Sequence, residues 1–143
     1  VIVPDVNLLV YAYNEDAPCH EQARTWWEEL ANGSERVGLA WMVAAGFVRI
    51  VTQYRTVVRP VPPEQAVDLV AEWLSLPQVA PLNPGAQHLA IFRGLVVATG
   101  VGGNLTADAH IAALAIEHQG EVHSNDSDFA RFPGLRWRNP LSP

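Results

Sequence analysis

The chain has 143 residues, 49% of them hydrophobic and 17% charged, with a formal net charge of −6. That length suits one domain with its own core and the composition excludes a disordered chain, while no apolar run is long enough for a membrane span. Cys19 is the single cysteine, which excludes an internal disulfide. Together with an N-terminus that lacks the basic region and cleavage pattern of a signal peptide, it leads us to expect a cytoplasmic protein. The negative charge argues at first against a nucleic-acid partner. However, all 9 basic residues are arginine, the better bidentate phosphate binder, and carboxylates that hold cations are cancelled locally.

In chain order, Val1–Pro4 reads as a buried first strand with Asp5 at its end. Asp5 then caps a helix over VNLLVYAY, with Asn7 in its first turn. Glu15–Pro18 is a loop, and Cys19 beside His20 has no oxyanion glycines to make it a nucleophile. His20–Ala31 is an amphipathic helix in which Trp26 and Trp27 are packing residues. Arg36–Ala40 is the second strand. Met42–Tyr54 is a helix with a core stripe of Val43, Phe47, Ile50 and Tyr54 and a second face of Gly46, Arg49 and Gln53. Arg49 is thus an arginine in an apolar helix, with pairing to a buried acid or contact with phosphate as its candidate roles.

Arg55–Pro62 is a proline-rich connection, Pro63–Leu76 a helix opened by proline, and Gln78–Leu82 the third strand. The next helix, Gly85–Thr99, carries Leu89, Phe92 and Val96 on its core side. Gly100–Asn104 is a turn, not a phosphate loop, because no GK[ST] follows. Ala107–His118 forms a helix, Glu121–Ser124 a strand, Phe129–Phe132 a single turn and Leu135–Arg138 a last strand before the NPLSP tail. There are no repeats and no linker, so residues 1–143 are expected to form one α/β domain. Its central sheet is mostly parallel with helices on both faces, a three-layer α/β/α arrangement.

Three of the chain's aspartates crowd into Asn104–Asp128. Asp108 shares a helical face with the apolar Ile111, Ala112 and Ala115, while Asp126 and Asp128 follow directly after a strand. Buried carboxylates are costly unless compensated, and clustered ones raise each other's pKa unless a cation stands between them. Asp5 ends the first strand, so all of these acids converge at one sheet edge if strands one and four are neighbours. Oxygen ligands without histidine or cysteine suit Mg²⁺ or Mn²⁺. An acid cluster holding Mg²⁺ is equipment for phosphodiester hydrolysis. SNDSDF lacks the glycine and distal glutamate of an EF-hand, and a receiver or haloacid-dehalogenase-type phosphatase needs a lysine that this chain does not have.

Four stretches together resemble the PIN-domain family and, within it, the VapC-type toxins: DVNLLVYA at Asp5, GFVRIVT at Gly46–Thr52, GGNLTADAHIAALAIEHQ around Asp108, and SNDSDFARFPGLRWRNPL from Ser124. They cover nearly the whole chain in the family's order. The resemblance implies a PIN-like fold and a Mg²⁺-dependent endoribonuclease, usually a homodimer, inhibited by a cognate VapB-like antitoxin. It puts Asp5, Asp108 and Asp126 on the family's first, third and fourth acidic positions as metal ligands and catalytic acids. Asp128 becomes an accessory ligand, and Ser124 falls on a hydroxyl position. Asn7, Arg49 and Ser124 are then the candidate substrate contacts. One departure stands out: where the family commonly has Glu before Phe-x-Arg, this chain has Gly46. The second acid is then dispensed with, replaced by water, or supplied by Glu15 or Asp16. The alternative class is a PIN-like module that binds RNA or a protein without cutting.

Overall fold

The structure, a computed structural model, describes residues 1–141. The last two residues of the NPLSP tail lie outside that range. The elements run β1 (Ile2–Pro4), α1 (Val6–Tyr13), α2 (His20–Ala31), β2 (Val37–Ala40), α3 (Trp41–Val51), α4 (Pro63–Ser75), β3 (Val79–Leu82), α5 (His88–Thr99), α6 (Thr106–Glu117), β4 (Glu121–His123) and β5 (Arg136–Arg138). Single 3₁₀ turns precede α6 (Gly103–Leu105) and follow β4 (Ser127–Arg131).

The sheet has the order β3-β2-β1-β4-β5, and every neighbouring pair is parallel. The expected parallel α/β architecture is therefore present. Strands this short are readable because both faces are covered: Val3 and Val122 are fully buried, and β2 is buried along its length. From β1 the chain winds outward through β2 to β3, then returns through α5 and α6 to lay β4 on the other side of β1. That reversal makes the carboxyl ends of β1 and β4 a topological switch point, where open α/β sheets collect ligands. The register Pro4↔His123 brings the two strand ends level. Gly120 is required for this approach, since a Cβ there would stand 2.7 Å from the Val1 carbonyl oxygen.

Three expectations need correction. α3 ends at Val51, and Tyr54 lies beyond it, 85% exposed, so the stripe that packs inward is Val43, Ala44, Phe47 and Val51. Gly85 does not open α5; residues 85–87 form a turn whose Gly85 and Gln87 N–H groups donate to the Glu117 carboxylate at 2.8 and 2.9 Å. Leu95 is the fully buried residue of α5 and Phe92 and Val96 pack partly buried against the core as expected, while Leu89 is 74% exposed. An almost uniformly apolar helix has no periodic contrast from which its inward face can be read. α6 shows the opposite case, with Ala109 and Ile111–Ala115 all buried, because α5 covers it from outside and the sheet supports it from within. Among the described residues, no helix is long and apolar enough to cross a membrane.

Candidate active site

Asp5 leaves β1 with its backbone N–H donated to the His123 carbonyl at 2.8 Å, which ties the two strand ends together. Its side chain is 9% exposed. Oδ1 accepts the Val6 N–H at 2.8 Å, confirming the helix cap, and Oδ2 accepts the Ser124 hydroxyl at 2.7 Å. Burial pushes the Asp5 carboxyl above its ordinary value; the Ser124 and Val6 hydrogen bonds oppose this, and the charge of Asp126 adds to it.

Ser124 is the node of the site. Besides donating to Asp5, its Oγ accepts from Asn7 Nδ2 at 3.3 Å and from the Asp126 N–H at 3.0 Å. A hydroxyl has one donor and two acceptor positions, so Ser124 is saturated, and it is fully buried. Ser124 thereby holds Asp5 and the loop that follows. Asn7 is similarly engaged, its Oδ1 lying 3.5 Å from the Asn125 N–H.

The loop after β4 supplies the remaining acids. Asp126 caps the 3₁₀ turn through Oδ1, which accepts the Asp128 N–H at 2.9 Å. Across from it, Asp108 stands in the first turn of α6. Carboxylate oxygens of Asp108, Asp126 and Asp128 all lie within 4.8 Å of one another. That spread is of the order needed around one hard cation, whose oxygen ligands stand about 2–2.5 Å away. The electrostatics agree. Asp108 is pushed up to about 6, first by burial and then by the charges of Asp5, Asp126 and Asp128, with Arg131 opposing. Three carboxylates in mutual repulsion, with no histidine or cysteine among them, are a donor set that fits a divalent cation. Asp5 is not among the three that share this spacing, yet its charge helps to raise Asp108, and it is itself raised in part by the charge of Asp126.

Both histidines near the acids in sequence face elsewhere. His123 is buried against α2, where its Nδ1 accepts Trp26 Nε1–H at 3.0 Å and its Nε2 meets Glu121 Oε1 at 2.9 Å. Burial pushes His123 below its ordinary value, against the pull of Glu121. His110 Nδ1 lies 3.0 Å from His88 Nε2 of α5.

Three candidates pair with none of the site residues. Arg49 is exposed and forms no ion pair among the described residues, so the expected pairing with a buried acid is absent. Glu15 and Asp16 sit past the far end of α1, about 12 Å of helix from Asp5, and both pair with Arg59, at 3.5 and 3.2 Å. Neither supplies the acid missing at Gly46. A Cβ at Gly46 would meet Val6 Cγ2 at 3.4 Å, so a larger residue there has room to start.

Residues not singled out from the sequence complete the frame. Trp137 Nε1–H donates to the Ser124 carbonyl at 3.0 Å, and Asn139 Nδ2 donates to Asn125 Oδ1 at 3.0 Å, so β5 and its exit brace the acid loop. Arg131 Nη2 donates to Asp128 Oδ1 at 2.9 Å. Only the last carried a local signal, an Asp–Arg pair three residues apart.

The sequence profile of the PIN domain matches residues 2–135. The chain belongs to the PIN-domain family. Within the family it stands with the VapC proteins. It is 44% identical over 141 residues to Ribonuclease VapC33 of Mycobacterium tuberculosis, covering 99% of each chain. It is 41% identical over 138 residues to Ribonuclease VapC37 of the same organism, covering 96% of each. Among solved structures, the PIN fold recurs in VapBC2 from Rickettsia felis bound to a promoter DNA fragment. That match has a TM-score of 0.68 at 20% identity and covers 96% of this chain and 97% of the other.

Proposed function

We propose that this PIN protein is a Mg²⁺-dependent endoribonuclease, the toxin of a VapBC-type pair. The observation that carries the proposal is the convergence of Asp108, Asp126 and Asp128 beside buried Asp5, in a chain alike over its whole length to VapC ribonucleases. In this reading Asp108, Asp126 and Asp128 hold the cation, Mg²⁺ or Mn²⁺, and Asp5 completes the negative field from behind. When bound, a divalent cation lowers the pKa of a water and neutralises a phosphate oxygen. The chain's own part is to fix the acids. Ser124 holds Asp5 and the Asp126 backbone, Asn7 holds Ser124, and the Trp137 contact keeps the loop on β4. A cytoplasmic homodimer bound by a VapB-like antitoxin belongs to the same proposal, supported by the likeness to VapC proteins and to the VapBC2 complex.

The test is incubation of purified, antitoxin-free protein with structured and unstructured RNAs in Mg²⁺, in Mn²⁺ and in EDTA, beside Asp5→Asn. Discrete cuts that need metal and vanish in the variant support the nuclease. Native-rate cutting by two of Asp5→Asn, Asp108→Asn and Asp126→Asn would overturn the assignment.

Gly46 favours a second reading, a PIN module that binds RNA or a partner without cutting. The substitution Gly46→Glu separates the two, because the Cβ has room. Cutting that appears only in this variant favours the binding module.

A further inference from the structure

The turn after β4 puts a cation of the chain's own against the acid cluster. In a 3₁₀ turn residues three apart eclipse one another. In Ser127–Phe132 this sorts the side chains into two pairs. Phe129 and Phe132 point inward and are buried, with ring centroids 6.1 Å apart, anchoring the turn in the core. Asp128 and Arg131 stand outward, joined at 2.9 Å, with side chains 40% and 43% exposed. Among the described residues, no other arginine pairs with any of the four site acids.

We propose that Arg131 is a substrate-binding residue with two successive partners, Asp128 while the acids are bare and an RNA phosphate once a divalent cation has taken Asp128. The proposal rests on the nuclease reading above. Its logic is charge exchange. A half-exposed ion pair is weak and easily traded. A divalent cation shared by Asp108, Asp126 and Asp128 competes for the carboxylate that holds the guanidinium and repels the guanidinium itself. The phenylalanine anchors keep the released side chain beside the cluster, where the substrate phosphodiester must lie. A guanidinium matches two phosphate oxygens at once, and a lysine in its place would match them less well.

Two measurements on the full chain test this, with Arg131→Gln and Arg131→Lys. Mn²⁺ binding to metal-free protein, read by equilibrium dialysis, should tighten about threefold or more in Arg131→Gln, because a competing cation is gone. Binding of a fluorescein-labelled mixed-sequence oligoribonucleotide is read in Mn²⁺ by anisotropy, with Asp5→Asn in every protein to prevent turnover. It should weaken roughly tenfold in Arg131→Gln, and the slope of log K against log salt should flatten by about 0.7–1. Arg131→Lys should restore the slope and only part of the affinity. With Asp5 intact, the loss should appear in KM, with kcat held within about threefold. Unchanged RNA affinity and salt slope in Arg131→Gln overturn the proposal whatever the metal does, leaving Arg131 a tether for Asp128. If the parent binds no RNA, the nuclease reading fails and takes this proposal with it.

Discussion

Two places in this molecule set acids against an arginine, at opposite ends of α1. Past its carboxyl end, Glu15 and Asp16 face Arg59 on an open surface, in a groove with Tyr13 and Pro60–Pro62. At its amino end, Asp5, Asp108, Asp126 and Asp128 face, among the described residues, the single paired arginine Arg131. The first group is nearly balanced and solvated, and such pairs add little to stability or chemistry. The second is unbalanced by several charges, partly buried, and held by hydrogen bonds that reach across the sheet. Imbalance combined with burial sets the second group apart as the one whose donor set fits a divalent cation.

The largest effect that would break this comparison is loss of cutting. Asp108→Asn or Asp126→Asn should lower RNA cleavage by on the order of 10²–10³-fold or more, while Asp16→Asn should leave it within about twofold, both read from initial rates on gels. A smaller effect is expected at the node. Ser124→Ala strips Asp5 Oδ2 and the Asp126 N–H of their buried partner, which should cost about 2 kcal/mol in urea unfolding. Unaltered stability there would mean that water replaces the hydroxyl.

Smaller again is the cost the metal-free acids impose on the fold. The Asp108 carboxyl rises from 3.8 to about 6 on folding. A raised folded-state pKa gives stability that is full below 3.8 and is lost as pH climbs through about 6. Metal-free protein should therefore weaken across that window. Asp108→Asn should flatten the profile and, after discounting for solvent at this half-exposed group, stabilise the neutral-pH protein by about 1 kcal/mol, or roughly 4 °C in Tm. Saturating Mn²⁺ should erase the difference by stabilising only the parent. Smallest of all, Arg59→Ala should shift neither Tm nor cleavage measurably.

The order and type of the elements could be read from the sequence because apolar strand runs alternate with capped, periodic helices. The ends of α3 and the exposure of Leu89 on α5 could not, since those segments are apolar on nearly every side. At the site, Asp5, Asp108, Asp126 and Asp128 were readable as acids out of place beside strand ends and on an apolar helix. The part played by Ser124 was not, because its burial depends on β5 lying across it. Glu15 and Asp16 misled for a similar reason: nearness in sequence to α1 says nothing about which end of that helix faces the acids. Arg131 hid in plain view, its significance depending on a 3₁₀ rather than an α-helical turn.

The bond from Ser124 to Asp5 spans 119 positions of the chain, and the one from Asn7 to Ser124 spans 117. A nascent chain emerging from the ribosome therefore carries Asp5 with nothing to complete the centre until more than a hundred further residues have followed. Only when β4 and its loop have left the exit tunnel can they slide in beside β1 and assemble the acids. Chains released early, or clipped before residue 124, would be inert fragments, so the capacity to cut would arrive in one step, when β4 and its loop come free.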